Sequence, residues 1–208
     1  MVERKGAGFR AVVIAASAGG LNALREVLGG LPPAYPLPIL VVQHLGPSAG
    51  SDFADLLNEL CPPQVKEAEE GELARPGVVY VAPANYHLLV EKDGRLALST
   101  DPAVNYARPS ADVLFESAAD AFKAGLIGIV LTGANNDGSA GLKRVKEQGG
   151  FTVVQDPNEA EFDAMPCSAL EAAAPDRVLP LGRIAAFLRE VSDSSGQPSL
   201  RRADRGRR

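Results

Sequence analysis

Residues Phe9–Ala16 read FRAVVIAA, and Ser17-Ala18-Gly19-Gly20 follows at once. A short apolar, β-branched run of this kind marks a strand buried on both faces, as found inside parallel sheets. The small residues then break it. Leu21, Leu24, Val27 and Leu28 recur at helical spacing until Gly29-Gly30 and Pro32-Pro33 end the period. The unit returns with Leu37–Gln43 (LPILVVQ), a turn around Gly46–Gly50, and a stripe of Phe53, Leu56, Leu57 and Leu60 stopped by Pro62-Pro63. Further on, Ser110 can cap a helix over Val113, Leu114, Ala118 and Ala121–Phe122. A strand over Leu126–Leu131 (LIGIVL), a polar loop over Thr132–Gly138 and a helix through Leu142 and Val145 come next, ended by Gly149-Gly150 before a strand at Phe151–Val154. Met165–Ala173 and Gly182–Val191 read as helices, with Arg177–Leu179 extended between them. Alternation at this spacing implies right-handed crossovers and an α/β fold: a three-layer, mostly parallel, doubly wound sheet. Residues 64–100 differ. Val78–Ala82, Tyr86–Glu91 and Arg95–Ser99 are short, and Asp93-Gly94 between the last two is a hairpin signal, so this stretch reads as a small antiparallel excursion on the main sheet.

Composition narrows the function. A chain of 208 residues with 46% hydrophobic and 23% charged residues is globular and fits one domain, placed at 8–191. Its longest apolar runs are too short to span a bilayer, no signal-peptide pattern opens it, and Cys61 and Cys167 form neither a disulfide framework nor a metal motif. A reduced, cytoplasmic setting is expected, without membrane insertion. The net charge is −5, but the terminal RRADRGRR carries +4, which leaves −9 on the body. An acidic body offers no footprint for nucleic acid, and residues 192–208 read as a disordered basic tail.

Ligands of an open parallel sheet bind beyond the carboxyl ends of its strands. At that edge the first strand delivers Ser17, the second His44, and LIGIVL leads to Asp137. A hydroxyl, an imidazole and a carboxylate are the parts of a serine-nucleophile triad, which is defined by geometry rather than chain order. The serine needs a base to take its proton, and His has a pKa suited to taking and returning it. A carboxylate on the second ring nitrogen fixes the tautomer. Each residue also has a plainer reading: Ser17 as a helix N-cap, His44 as a hydrogen-bonded structural residue, Asp137 before Gly138 as a turn or cap. The turn at Ser17 lacks the spacing of a dinucleotide-binding loop, and no Walker sequence is present. His87, the other histidine, lies in the hairpin region and reads as structural or as part of the rim.

These residues lie in motifs that resemble the catalytic domain of the chemotaxis protein-glutamate methylesterases, the CheB family. The likeness runs over about 10–190 and includes IAASAGGLNAL around Ser17, VVQHL around His44, VVYVAPANYHLLV, ARPSADVLFESAA, LTGANNDGSAGL around Asp137, and VVQDPNEAEFDAMPCSAL. The resemblance implies a cytoplasmic enzyme of phosphorelay signalling that hydrolyses glutamyl methyl esters on chemoreceptor signalling domains, releasing methanol, and that can also deamidate glutamines. It implies Ser17 as nucleophile, His44 as general base and acid, Asp137 as the residue that orients His44, and no metal or organic cofactor. Backbone N–H groups near Ala134 and Ala18 would hold the oxyanion, and Gly133, Asn135 and Asn136 would form a substrate loop. Two alternatives stay open: a catalytically weakened relative acting as a regulatory binding module, and a serine hydrolase or amidase of another substrate.

The sequence departs from the family pattern in places. Ala16 stands where many members have Gly, and the usual Thr-Gly-Met-Gly-x-Asp-Gly has become Thr132-Gly133-Ala134-Asn135-Asn136-Asp137-Gly138. Asn in place of Gly at 135 suggests a positive φ. The family usually carries an N-terminal receiver domain. The few residues before Phe9 leave no room for one, so control by a separate regulator, constitutive activity or an excised fragment is expected.

Overall fold

The structure, a computed structural model, describes residues 8–45 and 52–195. The turn expected around Gly46–Gly50 and the tail from 196 onward lie outside the described residues. In chain order the elements are β1 (Ala11–Ala16), α1 (Gly20–Gly29), β2 (Ile39–Gln43), α2 (Asp52–Leu60), β3 (Gln64–Glu67), β4 (Val78–Val81), β5 (His87–Val90) and β6 (Leu96–Ser99). They continue with α3 (Ala111–Phe122), β7 (Leu126–Val130), α4 (Ser139–Glu147), β8 (Phe151–Gln155), α5 (Ala164–Ala173), β9 (Arg177–Leu179) and α6 (Leu181–Ser195). The last helix runs past residue 191, where the sequence placed the end of the domain.

Seven strands form one parallel sheet in the order β3-β4-β2-β1-β7-β8-β9. Every residue of β1 is fully buried, as its unbroken apolar run requires. Alternate residues serve opposite cores. Val12, Ile14 and Ala16 pack with Leu24, Val27 and Leu28 of α1, Leu57 of α2, and Ile184 and Leu188 of α6. Ala11, Val13 and Ala15 pack with Leu114, Phe115 and Ala118 of α3, Leu142 of α4 and Met165 of α5. Each large aliphatic side chain buried in this way contributes roughly 1.5–3 kcal/mol relative to exposure.

The structure corrects the reading of 64–100. Val78–Ala82 is not part of an antiparallel excursion: β4 pairs in parallel with β2 on one side and with β3 on the other. The strand β3 gave no signal because it lies at the sheet edge, where only Val65 of its four residues is buried and charged Lys66 and Glu67 are tolerated. The hairpin itself exists as β5–β6, but as a separate two-stranded sheet. Leu88, Val90 and Leu96 pack it into the core on the α3 side, and Ser117 Oγ of α3 accepts a hydrogen bond from Val90 N at 3.1 Å.

The chain leaves β1 toward β2 on one side and later returns to β7 on the other, so β1 marks the topological switch point. That is where a doubly wound sheet opens a crevice at its carboxyl edge. Ala16 is in register with Gln43 and Ala15 with Val130, so Ser17, His44 and the loop after β7 begin at one level.

Candidate active site

The turn after β1 is held from three sides. Ser17 N donates to Thr132 O at 3.0 Å and His44 N donates to Ala16 O at 3.0 Å, which extends the sheet pairing to the site residues. Gln43, buried at the end of β2, donates through Nε2 to Ser17 O at 2.8 Å and to His44 O at 3.0 Å. One side chain thus clamps the carbonyls of both residues. Its Oε1 has no hydrogen-bond partner and faces Gly20, where an added Cβ would sit 1.9 Å away. Gly20 is therefore required for space. Gly19, at φ +77, is required for conformation.

Asp137 is 1% exposed, and its carboxylate gathers five hydrogen bonds. Oδ2 accepts from His44 Nε2 at 2.8 Å and Ala111 N at 2.6 Å. Oδ1 accepts from Ser110 Oγ at 2.7 Å, Asp112 N at 3.2 Å and Asn105 Nδ2 at 3.3 Å. The first turn of α3 thus points at a carboxylate delivered by another loop, a stabilising arrangement for negative charge. Burial pushes the carboxyl pKa up, but the bonds from His44, Ala111 and Ser110 and the proximity of the imidazole outweigh it, and the pKa ends below its usual value. Ser110 is the N-cap residue of α3, but its hydroxyl caps no N–H group and is given to Asp137 instead.

A second carboxylate stands beside the first. Asp112 accepts from Gly141 N at 2.7 Å and from Asn105 Nδ2 at 2.8 Å. Burial is the main cause that raises its pKa to about 6; the Gly141 bond opposes the shift and the charge of Asp137 adds to it. Asn105 bridges the two acids from a tight turn in which Asn105 and Tyr106 both take left-handed φ, and which presents Tyr106 fully to solvent.

Asn135 does not have positive φ, contrary to the reading from sequence. Its side chain explains its presence instead: Oδ1 accepts from Asp137 N at 3.1 Å, and Nδ2 lies 3.1 Å from His44 Nδ1. Ser17 Oγ makes no hydrogen bond to His44 among the described residues. The N–H groups of Ala18 and Ala134 are engaged by no other described group, and Ala134 is exposed. Gly133 is buried between Ser17 and Met165, where an added Cβ would meet Met165 Sδ at 2.0 Å and Ser17 Cβ at 2.8 Å. Asn136 belongs to the start of α4: its carbonyl accepts from Ser139 N and Oγ at 3.3 and 2.8 Å.

A cleft of about 560 Å³ opens beside the site, lined by His44, Leu45, Asn85, Asn105, Tyr106 and Asn135 among others. Ser17 does not line it. His87 is buried away from it, accepting from Ser110 N through Nδ1 at 3.2 Å with Nε2 3.2 Å from Pro102 O. Sequence reasoning found Ser17, His44 and Asp137 at one edge. It missed Gln43 and Asn105 altogether and took Ser110 for a simple cap. The only local signal for Gln43 was a polar residue ending an apolar strand. Among the described residues no group of three or more His, Cys, Asp and Glu is placed to hold a metal ion, and no helix is long and apolar enough to cross a membrane.

A chain of Leptospira interrogans, named provisionally as a protein-glutamate methylesterase/protein-glutamine glutaminase, is 50% identical over 177 residues, covering 85% of this chain and 92% of that one. The protein-glutamate methylesterase FrzG of Myxococcus xanthus is 42% identical over 182 residues, which cover 88% of this chain and 54% of FrzG. The crystal structure of the Thermotoga maritima CheB methylesterase catalytic domain superposes with a TM-score of 0.84 at 35% identity, covering 88% of this chain and 99% of that one. The family model described as CheB methylesterase matches residues 12–188, and the chain belongs to the CheB methylesterase family.

Proposed function

We propose that the chain is a serine-type protein-glutamate methylesterase, able also to deamidate glutamine, with Ser17, His44 and Asp137 as its triad. The observation that carries the reading is the His44–Asp137 pair: a buried carboxylate 2.8 Å from Nε2, one strand away from Ser17. Adjacent strands lie about 4.8 Å apart, so the backbones that carry Ser17 and His44 are neighbours at the sheet edge, and in this reading Oγ turns toward the ring before reaction. Nε2–H is committed to Asp137, which leaves Nδ1 as the nitrogen that takes the Ser17 proton. Oγ then attacks the ester carbonyl. Collapse of the tetrahedral intermediate breaks the C–OCH3 bond, and methanol leaves with the proton held on His44. Water, deprotonated by His44, attacks the glutamyl-serine ester, and the free glutamate and Ser17 are regenerated. With a glutamine substrate the leaving group is ammonia. The N–H groups of Ala18 and Ala134 supply the oxyanion donors, each worth ~10²–10³ in rate.

The substrate in this reading is the methylated signalling domain of a chemoreceptor on the cytoplasmic side, and a separate regulator would act in trans. The unit responsible is residues 8–195, which takes in the whole of α6. Methanol release from methylated receptor membranes tests the whole proposal. Wild type should release it, and Ser17→Ala should lose at least about 10³-fold. Equal release by Ser17→Ala, or none by wild type, refutes it.

A further inference from the structure

We propose that Asn135 is a positioning residue that guards the proton-accepting nitrogen of His44: its amide occupies Nδ1 in the resting enzyme and must yield that lone pair to Ser17 before reaction. The inference rests on the triad reading above and goes one step beyond it.

The orientation of the amide follows from its two ends. Asn135 Oδ1 is held by Asp137 N–H at 3.1 Å, so the end facing His44 at 3.1 Å is the NH2 group, a donor. Nδ1 of the imidazole must then be the unprotonated nitrogen, which agrees with Nε2–H donating to Asp137 at 2.8 Å. A neutral imidazole has one in-plane lone pair, and it accepts one good hydrogen bond. Asn135 and the Ser17 hydroxyl therefore compete for the same site. In the structure Asn135 holds it, and Ser17 Oγ has no bond to the ring.

Nor can the guard stay in place through catalysis. Once His44 carries the Ser17 proton, Nδ1–H and the Asn135 NH2 are two donors face to face. Asn135 lies on the wall of the same cleft as His44 and is half-buried. An ester or amide carbonyl entering the cleft can accept from Nδ2 and draw the amide off the ring. The backbone at 135 needs no residue capable of positive φ, and the local turn uses only the Oδ1 end of the side chain, so the Nδ2 end is left to His44.

The test uses Asn135→Ser. A serine at this position can still accept from Asp137 N through a local turn bond but is too short to reach His44. Asn135→Gly serves as a second variant. The first readout is the rate at which a fluorophosphonate labels Ser17. Both variants should label roughly fivefold faster than wild type, the worth of one net hydrogen bond. With methyl-ester substrate, the gain should be larger in kcat/KM than in kcat, because the free enzyme is the form that holds the bond. The second readout is the ¹⁵N spectrum of His44. In wild type Nδ1 should resonate as an unprotonated nitrogen that accepts a hydrogen bond, and in both variants it should move toward the position of a free lone pair. Equal or slower labelling in both variants overturns the guard while leaving the triad standing, whereas a proton on Nδ1 in the wild type overturns both the guard and the proton path of the triad. Failure of Ser17 to label in any of the proteins removes the triad and the guard with it. Accelerated labelling without methanol release keeps the guard and removes only the methylesterase assignment.

Discussion

Replacing Asp137 by Asn changes one atom and removes one charge, and the structure says what each should cost. With its NH2 in place of Oδ1, the amide would face Asp112 N–H and Asn105 Nδ2, both donors. With NH2 in place of Oδ2, it would face Ala111 N–H, which now sits 2.6 Å away, and His44 Nε2–H. The first orientation is cheaper, because the Ser110 hydroxyl can rotate to accept and His44 keeps an oxygen partner. Even so, a buried backbone donor of α3 loses its acceptor, at a cost of ~1–3 kcal/mol. Loss of the negative charge at the helix N-terminus adds about 0.3–1 kcal/mol. A total of roughly 1.3–4 kcal/mol is expected from urea unfolding at neutral pH.

The pH dependence carries a sign. A carboxyl whose folded pKa is depressed contributes stability that is present above its unfolded pKa and is lost as pH falls through the folded one. The gap between wild type and Asp137→Asn should therefore close on acidification. Activity should fall much further than stability at neutral pH, by ~10⁴, because the imidazolium formed during proton transfer no longer has a counter-charge. Methanol release, measured at a urea concentration of zero on protein shown to be folded, checks this. A loss smaller than tenfold would refute the orienting role of Asp137. An unfolding free energy equal to that of wild type would refute its role as the cap of α3.

Asp112→Asn should remove a titration centred near pH 6. Wild-type stability should fall as pH rises from about 4 to about 6, since the folded state holds a proton there that the unfolded chain has released, and then level off. Relative to the wild type, the variant should gain stability over that window, as read from unfolding midpoints across pH, and a constant difference would refute the shift. Gln43→Met keeps the volume but removes the donor shared by Ser17 O and His44 O. It should cost ~1–3 kcal/mol in urea unfolding and lower kcat more than it raises KM, because the loss falls on the alignment of two reacting groups; a pure KM effect would contradict the clamp.

Strands β1, β2, β7 and β8 were legible because each is a continuous apolar run, and burial on both faces leaves such a run no other place than the inside of a sheet. Edge strand β3 was not legible, since an exposed edge imposes no pattern on Gln64, Lys66 and Glu67. Neither was the detachment of β5–β6 from the main sheet, because an Asp-Gly turn announces a hairpin and says nothing about what the hairpin packs on. The candidate site divides along the same line. Ser17 and His44 follow directly from strand ends, so a local signal exists for them.

The parts that could not be read are those whose meaning depends on a distant partner. Ser110 looks like the N-cap of α3 because its position is right, yet the capping is exchanged: the helix N–H groups go to Asp137, 25 and 26 residues away, and Ser110 gives its hydroxyl to the same carboxylate. Asp137, in turn, looks like the cap of its own helix α4 and serves α3 instead. This exchange has a chemical consequence. A carboxylate that stayed with its own turn would be solvated and free to move, whereas one fixed by the first turn of a packed helix remains ionised in the interior and presents one oxygen to His44 along a set direction. The interaction that stabilises α3 is thus the same one that fixes the imidazole. Any mutation that loosens the start of α3 should therefore be felt at His44 before it is felt in the rest of the fold.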